Sequence, residues 1–124
     1  MTKNIAVDGC TLEFQAGGSG TITITGTPST KVKADGKAVY KEIKFAISGY
    51  NGQDITNSDG AGQGSIIASA QKVKVEGNAV ILEGDVSASI TINGTTTSKG
   101  SQKPAVAVEV VKVTDAGQSK VKGA

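Results

Sequence analysis

Histidine, arginine and tryptophan are absent from this chain, which has one cysteine, one methionine and two prolines in 124 residues. Without histidine, the commonest general base, the Ser-His-Asp and Cys-His nucleophile systems and the commonest zinc ligand are all missing. Cys10 stands alone, so it forms no intrachain disulfide, and with no imidazole to activate it, it reads as a small core residue. All 13 basic residues are lysine, so the planar guanidinium fork that reads phosphates and bases is missing. Two tyrosines and two phenylalanines (Phe14, Tyr40, Phe45 and Tyr50) make no stacking platform for a single strand. With a net charge of only +2, nucleic-acid binding is not expected. No stretch approaches the roughly 20 apolar residues that span a membrane. Residues 1–5 lead directly into a strand pattern without the apolar run of a signal peptide. A protein made in the cytoplasm is therefore expected.

What the chain has instead is glycine, 17 of them, and a phrase that recurs: apolar, any, apolar, any, glycine. It reads Ile5-Ala6-Val7-Asp8-Gly9, Ile22-Thr23-Ile24-Thr25-Gly26, Val32-Lys33-Ala34-Asp35-Gly36 and Phe45-Ala46-Ile47-Ser48-Gly49. It returns as Val73-Lys74-Val75-Glu76-Gly77, Val80-Ile81-Leu82-Glu83-Gly84 and Ile90-Thr91-Ile92-Asn93-Gly94. Alternation with period two lines one face of a strand with apolar side chains. A glycine after Asp, Glu or Asn supplies the positive φ that a tight hairpin turn demands. Hairpin turns are accordingly predicted at Asp8-Gly9, Asp35-Gly36, Glu76-Gly77 and Asn93-Gly94. The fold class is all-β, a small cone or sandwich-like assembly of short antiparallel hairpins.

One domain is expected over residues 1–124, with a first hairpin over residues 4–14 and a flexible connector at residues 16–20. Residues 49–64, GYNGQDITNSDGAGQG, read as a long polar glycine-rich loop. Residues 116–124 read as a frayed tail. Two hairpins are near copies. Residues 31–39, KVKADGKAV, align with residues 72–80, KVKVEGNAV, with six of nine positions identical. Residues 4–10 resemble a weaker third copy. Repeated hairpins of this size suggest pseudo-symmetric packing, in which no single hairpin is stable alone.

Other groupings fall short of a site. Glu83 and Asp85 would share a strand face but have no aromatic sugar platform beside them. Residues 54–60, DITNSDG, place Thr and Ser where a calcium loop wants Asp or Asn, and no Glu closes the loop. Asn93-Gly94-Thr95 fits a glycosylation sequon but reads as a turn. The Lys-x-Lys pairs at 31/33, 72/74 and 120/122 read as solvated strand edges. No catalytic residue, metal or cofactor is assigned, and an enzyme is not expected.

The duplicated hairpins resemble a known family. Residues 27–39, TPSTKVKADGKAV, are similar to the Pro-x-x-x-Val-x-Val-x-Gly-x-x-Val hairpin of PAAR-repeat and PAAR-like proteins. Residues 72–85, KVKVEGNAVILEGD, resemble the second such hairpin, closing on Gly84-Asp85. The likeness spans about residues 20–95. It implies a β cone with a pseudo-threefold axis, seated as a structural tip on the trimeric β-helical spike protein of a contractile injection system. Such a system is a type VI secretion machine, a phage tail or a related particle. The resemblance further implies recruitment of effector proteins, passing contact with a target membrane and delivery outside the cell. It does not say which residues meet the spike. The family commonly holds a metal near its apex through His and Cys, and with no His here no such metal is expected. The Pro-Ala-Ala-Arg signature is also missing, and Pro104-Ala105-Val106-Ala107 matches it only in part. The competing expectation is a generic all-β binding or adhesin-like module of a phage or surface structure.

Overall fold

The computed structural model describes residues 3–123, and every regular element in it is a β-strand. In chain order the strands begin with β1 (Lys3–Asn4), β2 (Thr11–Phe14), β3 (Ser19–Ile24), β4 (Thr27–Ala34) and β5 (Lys37–Glu42). There follow β6 (Lys44–Gly52), β7 (Ile55–Ser65), β8 (Lys74–Val75) and β9 (Asn78–Ala79). The last four are β10 (Ile90–Ser98), β11 (Ser101–Glu109), β12 (Val111–Asp115) and β13 (Lys122–Gly123). The protein is all-β, built of several small antiparallel sheets, as the alternation predicts.

The largest sheet has the order β11-β10-β7-β6-β3, and the remaining strands form pairs: β1-β13, β12-β2, β4-β5 and β8-β9. β11 runs into β12 through Val110, whose carbonyl accepts the Gln15 N–H at 2.9 Å. One long strand thus joins the large sheet to the β12-β2 pair around a shared core. That core holds Leu12, Ile43, Phe45, Ile47, Tyr50, Ile55, Ile90, Ile92, Ala105, Ala107, Val111 and Val113. On β6 the inward residues Ile47 and Tyr50 are three apart rather than two. A bulge at this point, with Gly49 at φ 62, turns Tyr50 back to the inside.

A second core is smaller, made of Ile5, Val7, Ala34, Val39, Ala70, Val75, Val80 and Leu82. Its walls come from the three copies noted in the sequence, near residues 5–9, 34–39 and 75–80. Ile5 bridges to Leu82, and Val7 bridges to Val39.

Five expectations need correcting. Residues 49–64 are not a loop but the facing parts of β6 and β7, the latter 11 residues long. Gly60, Gly62 and Gly64 take the inward positions of β7, where a Cβ would lie 2.8 to 3.3 Å from Tyr50, Thr91 or Ile90. Glycine here yields room to larger side chains from β6 and β10 rather than making turns.

Asn93-Gly94 is not a turn either. Asn93 pairs with Val106 and Gly94 with Ala105 in the middle of β10, and the reversal comes at Lys99-Gly100, with φ 51 and 77. A turn at 93–94 would have set residues 95–98, TTTS, against the Ile90-Ile92 stretch. The observed register places Ala105 and Ala107 on the inner face instead.

Asp8-Gly9 is a turn, with the Cys10 N–H donating to the Val7 carbonyl at 3.0 Å. It closes no hairpin over residues 4–14, because the backbone of residues 5–7 bonds elsewhere, to Val121, Ile81 and Ala116.

Residues 116–123 are held rather than frayed. β13 pairs with β1, Ala116 is buried, and the Gln118 amide is buried with four hydrogen bonds to backbone. The 16–20 connector is likewise tied, since the Ala16 and Gly18 N–H groups donate to the buried Glu109 carboxylate.

Candidate functional site

The three-copy cluster is where the sequence motifs converge. In β4–β5, Asp35 and Gly36 have φ 52 and 77, and between β8 and β9, Glu76 and Gly77 have φ 49 and 85. These two turns share the geometry in which both central residues are left-handed, matching the twist of the strands they join. The third copy differs: only Gly9 is left-handed there, at φ 99.

Side chains fasten the copies to one another. Ser29, buried on β4, accepts the N–H groups of Lys31 and Val32 at 3.1 and 3.0 Å and donates its hydroxyl to Glu76 at 2.6 Å. This hydroxyl, with Lys41 and Lys31 nearby, holds the Glu76 carboxyl below its ordinary range. Asp8 N–H donates to the Ala38 carbonyl at 2.9 Å, joining the first copy to β5. Lys120 pairs with Asp35 at 3.4 Å, and Lys37 donates to the Gly117 carbonyl at 2.7 Å, so the C-terminal segment braces the same hairpin.

The groups weighed as chemistry in the sequence are occupied structurally. Glu83 accepts the Ala116 N–H at 3.1 Å. Asp85 is buried and accepts the Leu82 N–H at 2.9 Å, the Ser69 N–H at 3.2 Å and the Ser69 hydroxyl. The two carboxylates thus fix separate segments of backbone instead of facing a common substrate. Cys10 is buried, and that burial pushes its thiol up to about 11, so it is not a thiolate near neutrality. Among the described residues, no group of three or more His, Cys, Asp or Glu is placed to hold a metal ion. No helix there is long and apolar enough to cross a membrane.

Residues that the motif reading passed over matter more. Glu109 shares the inner face of β11 with Ala105 and Ala107, and a lone acid at that period was the available signal of a buried carboxylate. Gln53 caps the outer edge of β11: its amide donates to the Val108 carbonyl at 2.6 Å and accepts the Val108 N–H at 3.1 Å. Backbone groups of alternate residues point the same way, so Pro104 falls on this edge too, and it has no N–H to offer. The edge is blocked at both positions against pairing with another strand.

Compared with protein-family models, curated proteins and solved structures, the chain has no match.

Proposed function

We propose that this protein is a structural tip that caps the trimeric spike of a contractile injection system. The carrying observation is the second core, in which the copies near residues 5–9, 34–39 and 75–80 pack against one another through Ile5 and Val7, Ala34 and Val39, and Val75 and Val80. Three like segments packed against one another would suit a partner that is itself threefold. The rest of the molecule agrees with a mechanical role. Buried carboxylates and amides satisfy backbone rather than forming a reactive cluster, and the long antiparallel sheet supplies stiffness through continuous main-chain pairing. The resemblance of residues 27–39 and 72–85 to PAAR-like hairpins is what points to this kind of machine. Recruitment of effector proteins belongs to the same proposal.

The test is co-expression with a trimeric β-helical spike protein of such a system. One copy of this chain is expected to co-purify with three spike chains. A free monomer that persists beside intact spike trimers would overturn the proposal.

A further inference from the structure

Three lysines that are distant in sequence meet at one groove. Lys3 of β1, Lys112 of β12 and Lys122 of β13 line a concavity of about 460 Å³, together with Asn4, Glu83, Gly84, Val113 and Thr114. Each reaches it for a backbone reason. Lys122 stands directly across from Asn4 in the β1-β13 register, so the two share a face. Lys112 and Thr114 alternate with the buried Val111 and Val113, which turns both away from the core. Gly84, at φ 95, has no side chain to cover Lys3, whose Nζ lies 3.7 Å from where a Cβ would begin.

The charges in this groove are unbalanced. Among the described residues, the ion pairs are Lys41 with Glu76, Lys44 with Glu42 and Lys120 with Asp35, and none involves the groove lysines. The lining acid, Glu83, is engaged by the Ala116 N–H. Glu13 lies across from Lys112 in the β12-β2 register but makes no ion pair with it. Cations crowded around a concave, partly apolar wall raise the local potential and draw in anions.

Asn4 lines the same wall. Its Oδ1 is buried with no partner among the described residues. As an acceptor it calls for a donor rather than an anion, so the cationic character of the groove comes from the three ammonium groups alone.

We propose that the groove binds a multivalent phosphate anion through the ammonium groups of Lys3, Lys112 and Lys122. Ammonium groups are compact point charges that suit phosphate oxygens arriving from several directions. A flat carboxylate would satisfy fewer of them at once. The anion has two possible sources, a soluble polyphosphate or the phosphomonoester headgroup of a lipid. The site is independent of the spike-tip proposal.

The probe is inorganic tripolyphosphate, titrated calorimetrically into the full chain, with amide resonances followed in parallel. Binding should shift the amides of Asn4, Gly84 and Thr114. Lys3→Gln, Lys112→Gln and Lys122→Gln should each weaken binding by about three- to tenfold, and the triple variant should abolish it. Lys33→Gln and Lys99→Gln, at exposed sites elsewhere, should leave it within about twofold. Co-sedimentation with phosphatidylcholine vesicles containing phosphatidic acid, lost in the triple variant, would assign the lipid source. Tripolyphosphate binding without co-sedimentation would assign the soluble one. No heat and no shifts, or equal weakening in the two control variants, would overturn the site. Retention on a DNA oligonucleotide that the triple substitution alone abolishes would also overturn it, in favour of a phosphodiester strand.

Discussion

Tyr50 donates its hydroxyl hydrogen to the carboxylate of Glu109, and the two side chains are 0% and 1% exposed. The same carboxylate takes the N–H groups of Ala16 at 2.8 Å and Gly18 at 3.1 Å. Phe14 stands edge-on to the Tyr50 ring, with centroids 5.1 Å apart at 76°. One buried acid therefore joins β6, β11 and the connector from β2 to β3, where no strand pairing does so.

Removing that acid should be costly. Glu109→Ala strands two backbone donors and a phenol, and we expect a loss of about 3 kcal/mol in urea unfolding. Tyr50→Phe removes one donor from a carboxylate that keeps two others, so about 1 kcal/mol is expected. A double-mutant cycle should return a coupling of about 1 kcal/mol or more. Additive losses would show that the pair does not act together.

Alkali should unfold the protein in a defined window. Burial pushes the Cys10 thiol from an ordinary 9.0 up to about 11. Burial likewise raises Tyr40 from 10.0 to about 12, and burial with the Glu109 hydrogen bond does the same for Tyr50. All three folded values lie above the unfolded ones, so the folded chain stays neutral where the unfolded chain would ionise. Their stabilisation is complete below about pH 9 and is lost as the pH climbs toward about 12. Because the chain has two tyrosines, tyrosinate absorbance should rise together with loss of the strand circular dichroism. Tyrosinate appearing near pH 10 in a folded protein would contradict this.

Gly94 should tolerate no side chain. A Cβ there would meet Ile55 Cγ2 at 2.7 Å, Asp59 Oδ1 at 2.9 Å and the Gly60 Cα at 3.0 Å. Gly94→Ala is expected to cost about 1–3 kcal/mol through overpacking. Asn93→Thr, at the exposed neighbour in mid-strand, should change thermal stability by less than about 0.5 kcal/mol. Were residues 93–94 a turn, the asparagine would matter too.

Gln118 should act as the clasp of the C-terminal segment. Its amide donates to the Ile5 and Val121 carbonyls and accepts the Lys120 and Val121 N–H groups, all at 2.8 Å. Gln118→Ala should destabilise the chain by about 2 kcal/mol and speed amide exchange at Lys120 and Val121. Exchange there as fast in the parent as in the variant would show the segment is already open.

The legible parts of the fold were those in which side-chain type and backbone demand coincide. Asp35-Gly36 and Glu76-Gly77 sit at left-handed turns, and Ile22 and Ile24 alternate with exposed threonines on β3. Legibility failed where glycine served as the inward residue. In β7, Gly60, Gly62 and Gly64 alternate with exposed Ala61, Gln63 and Ser65, a clean period of two. A glycine registers no hydrophobicity, so the alternation was present but invisible to an apolar count. Asn93-Gly94 misled for a related reason, since the glycine answers to crowding from β7 rather than to a turn. Among the acids at the candidate sites, Glu83 and Asp85 form a pair in the sequence, yet each serves separate backbone. Glu109 and Gln118 have partners distant in the chain, which no local pattern reveals.

The pairing of β1 with β13 has a kinetic consequence. Lys3 meets Gly123 and Ile5 bonds to Val121, so the two ends of the described chain must find each other across nearly its whole length. The β6–β7 and β10–β11 hairpins, which pair sequence neighbours, can form early at small loop-closure cost. The three-copy core is expected to form later, because the Val7 N–H bonds to the Ala116 carbonyl, a contact that closes a long stretch of chain. The part of the molecule that holds the repeated hairpins is thus expected to close last, with its apolar copies exposed until then.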